Sequence, residues 1–129
     1  NLFSIMFDVA KVDGISMSPS LMNGDLLLFS KRQQFVVGDI VLYRVGSGLL
    51  LVKRVDEIKN GIINLASDNR WVESSLRLAG LSGEGVIGVV LVSFSKRRNF
   101  KIQIHSRLRL GFAWKRLFSR IFSTTPTKF

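Results

Sequence analysis

The sequence predicts a mainly β fold that ends in a basic helix. Three observations carry this. Apolar runs are short, rich in valine, isoleucine and leucine, and recur at residues 26–29, 40–45, 49–55, 62–66 and 85–94. Glycine turns with Asp, Asn or Ser beside them separate the runs, which is the punctuation of antiparallel strands. Past residue 107 the period changes to that of an amphipathic helix.

Residues 2–7 are apolar and lead, as a strand or a short helix, into the stretch Val12-Asp13-Gly14-Ile15-Ser16-Met17-Ser18-Pro19-Ser20. Gly14 permits backbone geometry closed to other residues, and Pro19 biases Ser18 towards extended geometry. The turn can hold Ser16 rigidly and aim its amides outward, or it can be a plain Ser/Gly/Pro loop. Gly24-Asp25 is a turn, and residues 25–30 follow as a buried strand. Val36-Val37-Gly38-Asp39 is a second turn, followed by a β-branched and aromatic strand over 40–45. Gly46-Ser47-Gly48 turns the chain back into residues 49–56, close enough to pair antiparallel. Lys59-Asn60-Gly61 is another turn before a strand over 62–66. Ser67-Asp68-Asn69-Arg70 is a polar corner, residues 71–84 are irregular, and residues 85–94 form the last strand.

Lys53 stands inside the apolar run Leu49-Leu50-Leu51-Val52-Lys53-Arg54-Val55. The ordinary fate of such a lysine is a solvated strand edge. The alternative is chemical. A serine hydroxyl is a poor nucleophile until a base removes its proton, and burial among apolar side chains lowers a lysine pKa enough to make it that base.

Ser16-Met17-Ser18-Pro19-Ser20-Leu21, Gly24-Asp25, Gly38-Asp39-Ile40-Val41, Lys53-Arg54-Val55 and Asp68-Asn69-Arg70 occur in that order. This arrangement resembles the signal peptidase I family and, more widely, the serine/lysine peptidases that include LexA-like self-cleaving proteins. The likeness covers residues 10–92. It implies a compact, coiled antiparallel β-sheet peptidase domain. The expected enzyme is a serine endopeptidase that cleaves leader or signal peptides through a Ser16–Lys53 dyad and an acyl-enzyme, with no cofactor and no metal. Gly14, Ile15, Met17 and Pro19 would shape the turn and oxyanion site, with the Ser16 amide as first donor. Arg54, Asp68 and Asn69 would brace the site. The substrate would be an extended peptide or precursor protein with a small residue before the cut. The chain departs from the pattern at three places. Glycine stands at 14, where some members carry a serine donor. Ser20 replaces threonine. Ser67 replaces glycine before Asp68-Asn69, and the run after that motif is only loosely kept in Glu73-Ser74-Ser75.

Size and composition bound the alternatives. At 129 residues the chain is of single-domain size, and its lack of cysteine excludes disulfide and thiol chemistry. His105, the single histidine, argues against a histidine triad, and its basic setting suggests a surface residue. The net charge of +10 is uneven: nine Lys/Arg balance nine Asp/Glu over residues 1–95, and ten Lys/Arg with no acid follow over 96–129. The expected division is therefore a peptidase domain over 1–95 and a basic extension over 96–129. At 100° per residue Leu110, Trp114, Leu117, Phe118, Ile121 and Phe122 share one face, opposite Arg109, Arg116 and Arg120. This predicts a helix of about four turns over residues 107–122, closed by Ser123-Thr124-Thr125-Pro126. Its apolar face either enters an anionic membrane surface or packs on the β domain. Nucleic acid is not the expected partner, because it offers nothing to an apolar face. Localisation is expected at a membrane, on a side the sequence does not name, with the cytoplasm as the alternative.

No apolar run reaches about 18 residues, the length of a membrane-spanning helix. The sequence opens at Asn1 without methionine, which leaves an upstream anchor open. A LexA-like self-cleaving domain would need a cleavable segment well before the serine. Only 15 residues precede Ser16, and Pro19 favours the signal peptidase side. A third possibility is a non-enzymatic β scaffold with a basic tail.

Overall fold

The computed structural model describes residues 2–31, 34–46, 48–72 and 78–106. The helix expected over 107–122 and the run Glu73-Ser74-Ser75 lie outside the described residues. A short helix, α1 (Leu2–Met6), precedes eight strands: β1 (Phe7–Lys11), β2 (Leu26–Ser30), β3 (Ile40–Val45), β4 (Leu49–Lys59), β5 (Ile62–Ala66), β6 (Leu78–Ser82), β7 (Val86–Ser95) and β8 (Lys101–Ile104). They form one antiparallel sheet in the order β1-β2-β7-β3-β4-β5-β6. β8 also pairs with β7, so the sheet continues to Ile104, beyond the division expected at residue 95.

The mainly β expectation holds, and the strands at 26–30, 40–45 and 62–66 stand where the apolar runs place them. Two strands fall where none was expected. β6 occupies part of the stretch read as irregular, because Ala79, Gly80 and Ser82 carry no strand propensity and only pairing with β5 makes the strand. β8 is Lys-Ile-Gln-Ile, a four-residue alternation inside a basic segment.

β7 organises the sheet. It pairs with β2 along one edge and with β3 and then β8 along the other. β3 beside it is buried on both faces, and its alternate residues feed two cores. Ile40 and Leu42 join Val12, Met17, Leu21, Leu27, Phe29 and Val90 in the first core. Val41 and Tyr43 join Val55, Ile63, Leu65, Val86 and Val89 in the second. The first core therefore holds the segment that carries Ser16, and the second holds the strand that carries Lys53.

Candidate active site

The loop between β1 and β2 carries Ser16. Gly14 adopts φ +104°, and its N–H donates to the Asn23 side chain at 2.8 Å. The Ser18 N–H returns to the Ile15 carbonyl at 3.1 Å, and the Leu21 N–H to the Met17 carbonyl at 2.9 Å. Met17 and Leu21 point into the first core, at 1% and 0% exposure, so the turn is pinned from below while Ile15 stays exposed and Ser16 half-buried. The Ser18–Pro19 peptide is cis, and the Pro19 carbonyl accepts from Arg98. Among the described residues nothing accepts from the Ser16 N–H, which leaves that donor available to an oxyanion.

The two Gly-Asp pairs are the same device used twice. The Asp25 N–H donates to the Met22 carbonyl (3.0 Å) while the Asp25 carboxylate accepts from the Met22 N–H (2.8 Å). Asp39 and Val36 repeat this at 3.1 and 3.0 Å. Gly24 and Gly38 supply the positive φ, +90° and +97°, that such a turn demands at its third position. The first turn ties down the Ser16 loop: Val12 N–H donates to Asp25 O and Gly24 N–H to Val12 O, both 2.8 Å. The second ties down the lysine strand: Gly38 N–H donates to Val55 O (2.9 Å) and Val55 N–H to Asp39 O (2.8 Å).

Lys53 lies on β4 opposite Val41, on the same face as Val55, and is 4% exposed. It is a buried lysine, and burial pushes its pKa below the ordinary lysine value. Its Nζ donates to Ser67 Oγ at 2.8 Å. Among the described residues that hydrogen bond goes to Ser67 and not to Ser16.

The corner 67–69 connects the two halves. Ser67 accepts from Lys53. Asp68 accepts from Arg54 Nε (2.8 Å) and Nη2 (2.6 Å) and from Ser20 Oγ (2.6 Å). Asn69 donates its side-chain amide to Ile15 O (2.9 Å) and its backbone N–H to Ser16 O (3.0 Å). Arg54 also donates Nη1 to Gly38 O at 2.6 Å, and its hydrogen bond to Asp68 holds the guanidinium firmly protonated. Burial alone would raise the Asp68 carboxyl, but the hydrogen bonds from Arg54 and Ser20 outweigh it and hold the pKa below the usual carboxylate value. Three consecutive residues thus grip the lysine strand on one side and the serine turn on the other.

His105 is not the surface residue expected from its basic neighbours. It is half-buried, its Nε2 shares a 2.7 Å hydrogen bond with Ser93 Oγ, and burial lowers its pKa. Its N–H donates to Leu91 O, so it continues the β8–β7 pairing. Sequence reasoning also missed the contacts of Asn23 with Gly14, of Ser67 with Lys53 and of Arg98 with Pro19. A cavity of about 650 Å³ beside the loop is lined by Lys11, Asp13, Asn23, Asp25, Lys96 and Arg97 among others, and neither Ser16 nor Lys53 lines it.

The sequence pattern of the peptidase S24-like family matches residues 8–90, which span both the Ser16 turn and the 67–69 corner. The chain belongs to this family, which takes in signal peptidase I and LexA-like proteins. Compared with curated proteins, the chain has no match.

Proposed function

We propose that the domain is a serine endopeptidase resembling signal peptidase I, with Ser16 as nucleophile and Lys53 as general base, removing leader or signal peptides from precursor proteins. The observation that carries this reading is the 67–69 corner, which clasps the Ser16 turn and the buried Lys53 together. Ser16 Oγ attacks the scissile carbonyl as its proton passes to neutral Lys53 Nζ. The ammonium then protonates the leaving amine, and water activated by Lys53 releases the acyl group. Burial supplies the lowered pKa that this cycle needs. In an empty site a catalytic hydrogen bond is often long and tightens when substrate binds, which fits a resting Lys53 that donates to Ser67. The substrate would run extended past the serine and add as a strand. Neither a metal nor an organic cofactor enters the scheme.

The decisive measurement is mass spectrometry of candidate precursors incubated with the protein and with Ser16→Ala. Discrete cleavage that vanishes in the variant supports the reading, and equal cleavage by both rejects it. Membership of the family keeps a LexA-like self-cleaving reading as the second. Incubating the full-length protein alone at alkaline pH separates the two, because only self-cleavage yields fragments without added substrate.

The basic segment over 107–122 is proposed to hold the enzyme at an anionic membrane surface, where each nearby basic residue contributes about 1 kcal/mol. Among the described residues no helix is long and apolar enough to cross a membrane. Binding to anionic vesicles at low salt, lost on truncation after Ser95, is the expected result. Equal binding by the truncated chain removes the tail from the account.

A further inference from the structure

The cavity beside the Ser16 loop lies where three pieces of chain meet. Lys11 and Asp13 stand where the chain enters the loop, Asn23 and Asp25 where it leaves, and Lys96 and Arg97 in the turn after β7. Strand register brings them together. Lys11 pairs with Leu26 and Leu26 with Phe94, so this row delivers Lys11 to the end of the sheet where Lys96 and Arg97 leave β7. The turn is held from two sides. Asn99 and Phe100 are left-handed, at φ +57° and +59°, which is unusual for a bulky side chain. The Phe100 ring rests on Phe94 with centroids 5.8 Å apart, and Arg98 donates to the Pro19 carbonyl of the Ser16 loop. Lys96 and Arg97 are therefore placed before any ligand arrives. Among the described residues the ion pairs are Lys31–Asp8 and Arg54–Asp68, so three cations line the cavity unpaired. Cations gathered without a partner raise the local potential and favour an anion.

We propose that this cavity binds a phosphate ester that carries hydroxyl groups, either a free ester such as glycerol phosphate or the same group on a lipid. Arg97 offers a planar fork of donors, and Lys11 and Lys96 offer point charges, a set that suits the several oxygens of a phosphate. The two carboxylates in the wall decide what else the ligand brings. Asp25 is 2% exposed, and its Oδ2 accepts from the Met22 N–H at 2.8 Å, so it is committed to its own turn. Asp13 is exposed, and among the described residues nothing donates to its carboxylate. It repels a bare anion but accepts from a hydroxyl on one. Asn23 keeps its Oδ1 on the Gly14 N–H, which leaves its amide N–H groups for the ligand. A volume of about 650 Å³ holds an ester with its alcohol and is larger than phosphate alone requires. The site uses neither Ser16 nor Lys53, so it stands whether or not the domain is a peptidase.

The test is an NMR titration of the full-length protein with glycerol 1-phosphate and, separately, with inorganic phosphate. Glycerol 1-phosphate should shift the amides of Asn23, Gly24 and Lys96 saturably and bind more tightly than inorganic phosphate. Lys96→Ala and Arg97→Ala should each weaken it about tenfold. Asp13→Asn should weaken glycerol 1-phosphate, which loses an acceptor for its hydroxyl, and tighten inorganic phosphate, which loses a repulsion. All three side chains are exposed, so the variants should keep the wild-type spectrum elsewhere. Phosphatidylglycerol vesicles then identify the source of the ester. Weaker vesicle binding by Lys96→Ala than by wild type assigns the site to a lipid headgroup, and equal vesicle binding assigns it to a free ester. The absence of a saturable shift with glycerol 1-phosphate overturns the proposal. So does binding that survives both Lys96→Ala and Arg97→Ala unchanged, or an Asp13→Asn variant that moves both probes in the same direction.

Discussion

The two cores on either side of β3 are built alike but serve the site differently. Each is closed by a strand that leaves a Gly-Asp turn, and each takes a glycine from the β7 region. Gly88 lies under the Phe29 ring in the first core, and Gly85 under the Tyr43 ring in the second, where an added methyl would meet ring atoms at 2.3 Å in both cases. The difference is in what each core displays. The first ends in a loop and holds Ser16 through its neighbours Met17 and Leu21, so Ser16 sits on a turn that is pinned from below. The second ends in a strand and encloses Lys53 within the sheet. In the proposed reading a nucleophile needs access and a lysine base needs desolvation, and the two cores would divide those demands.

The largest effect should come from removing the displayed groups themselves. Ser16→Ala and Lys53→Ala are each expected to cut peptide cleavage by about a hundredfold or more, with circular dichroism unchanged. Lys53→Arg should not rescue, since arginine stays protonated.

The pH profile should then report the enclosed member. Burial holds the Lys53 pKa below 10.5, so the neutral base accumulates as pH rises and activity should climb through the lowered value. A profile flat from mildly acidic to alkaline pH, with chemistry limiting, would rule out a lysine base. The stability sign agrees. The unfolded chain binds the Lys53 proton more tightly than the folded one, so this group's penalty is full below the folded pKa and fades as pH rises towards 10.5. Lys53→Met should therefore unfold at higher denaturant than wild type at neutral pH while being inactive.

The cores can be probed next. Met17→Ala and Leu65→Ala each remove a side chain of 1% exposure or less, and each should cost about 2–5 kcal/mol. The comparison predicts a split at equal stability loss. Met17→Ala should also depress kcat of the folded fraction, because Met17 adjoins Ser16, whereas Leu65→Ala should leave it close to wild type. Equal kcat losses would mean that the cores do not divide the labour.

Smallest is the ion pair between them. Asp68→Asn should cost about 1–2 kcal/mol, since the guanidinium side is a third exposed and solvent screens it. The Asp68 carboxyl is held below its usual value, so its contribution is full above the unfolded pKa near 3.8 and lost as pH falls through the folded one. Acid titration of the stability difference between wild type and Asp68→Asn checks this.

Much of this was legible in the sequence, and the failures have particular causes. The strands over 40–45 and 62–66 stand out because β-branched runs between glycine turns leave few alternatives. A buried Lys53 was legible as one of two fates because four apolar residues, Leu49-Leu50-Leu51-Val52, run straight into it. Arg54 and Asp68 could be paired only through the family resemblance, because 14 residues separate them and independent surface fates were equally open on the residues alone. His105 was misread because charge census describes a segment's composition and not the direction of one side chain off an edge strand. Ser67 stood out only as a departure from the family pattern, and its place opposite Lys53 comes from a bulge between Val55 and Glu57 in the β4–β5 pairing. The Asn60-Gly61 turn suggests a regular hairpin, and a regular hairpin brings Asp68 to Lys53. No sequence signal announced the bulge.

That bulge also sets how the hairpin tolerates changes in length. Residues added at the exposed Asn60-Gly61 tip lengthen a loop and leave the pairing below it untouched. One residue removed at Asp56 takes out the extra residue and keeps Lys53 opposite Ser67, whereas pairing Asp56 itself with Leu65 acts as a frameshift in space. Everything towards the corner keeps its identity and changes its partner, and a carboxylate replaces a hydroxyl as the neighbour of Lys53. The hairpin is a ruler with one graduation that cannot be moved.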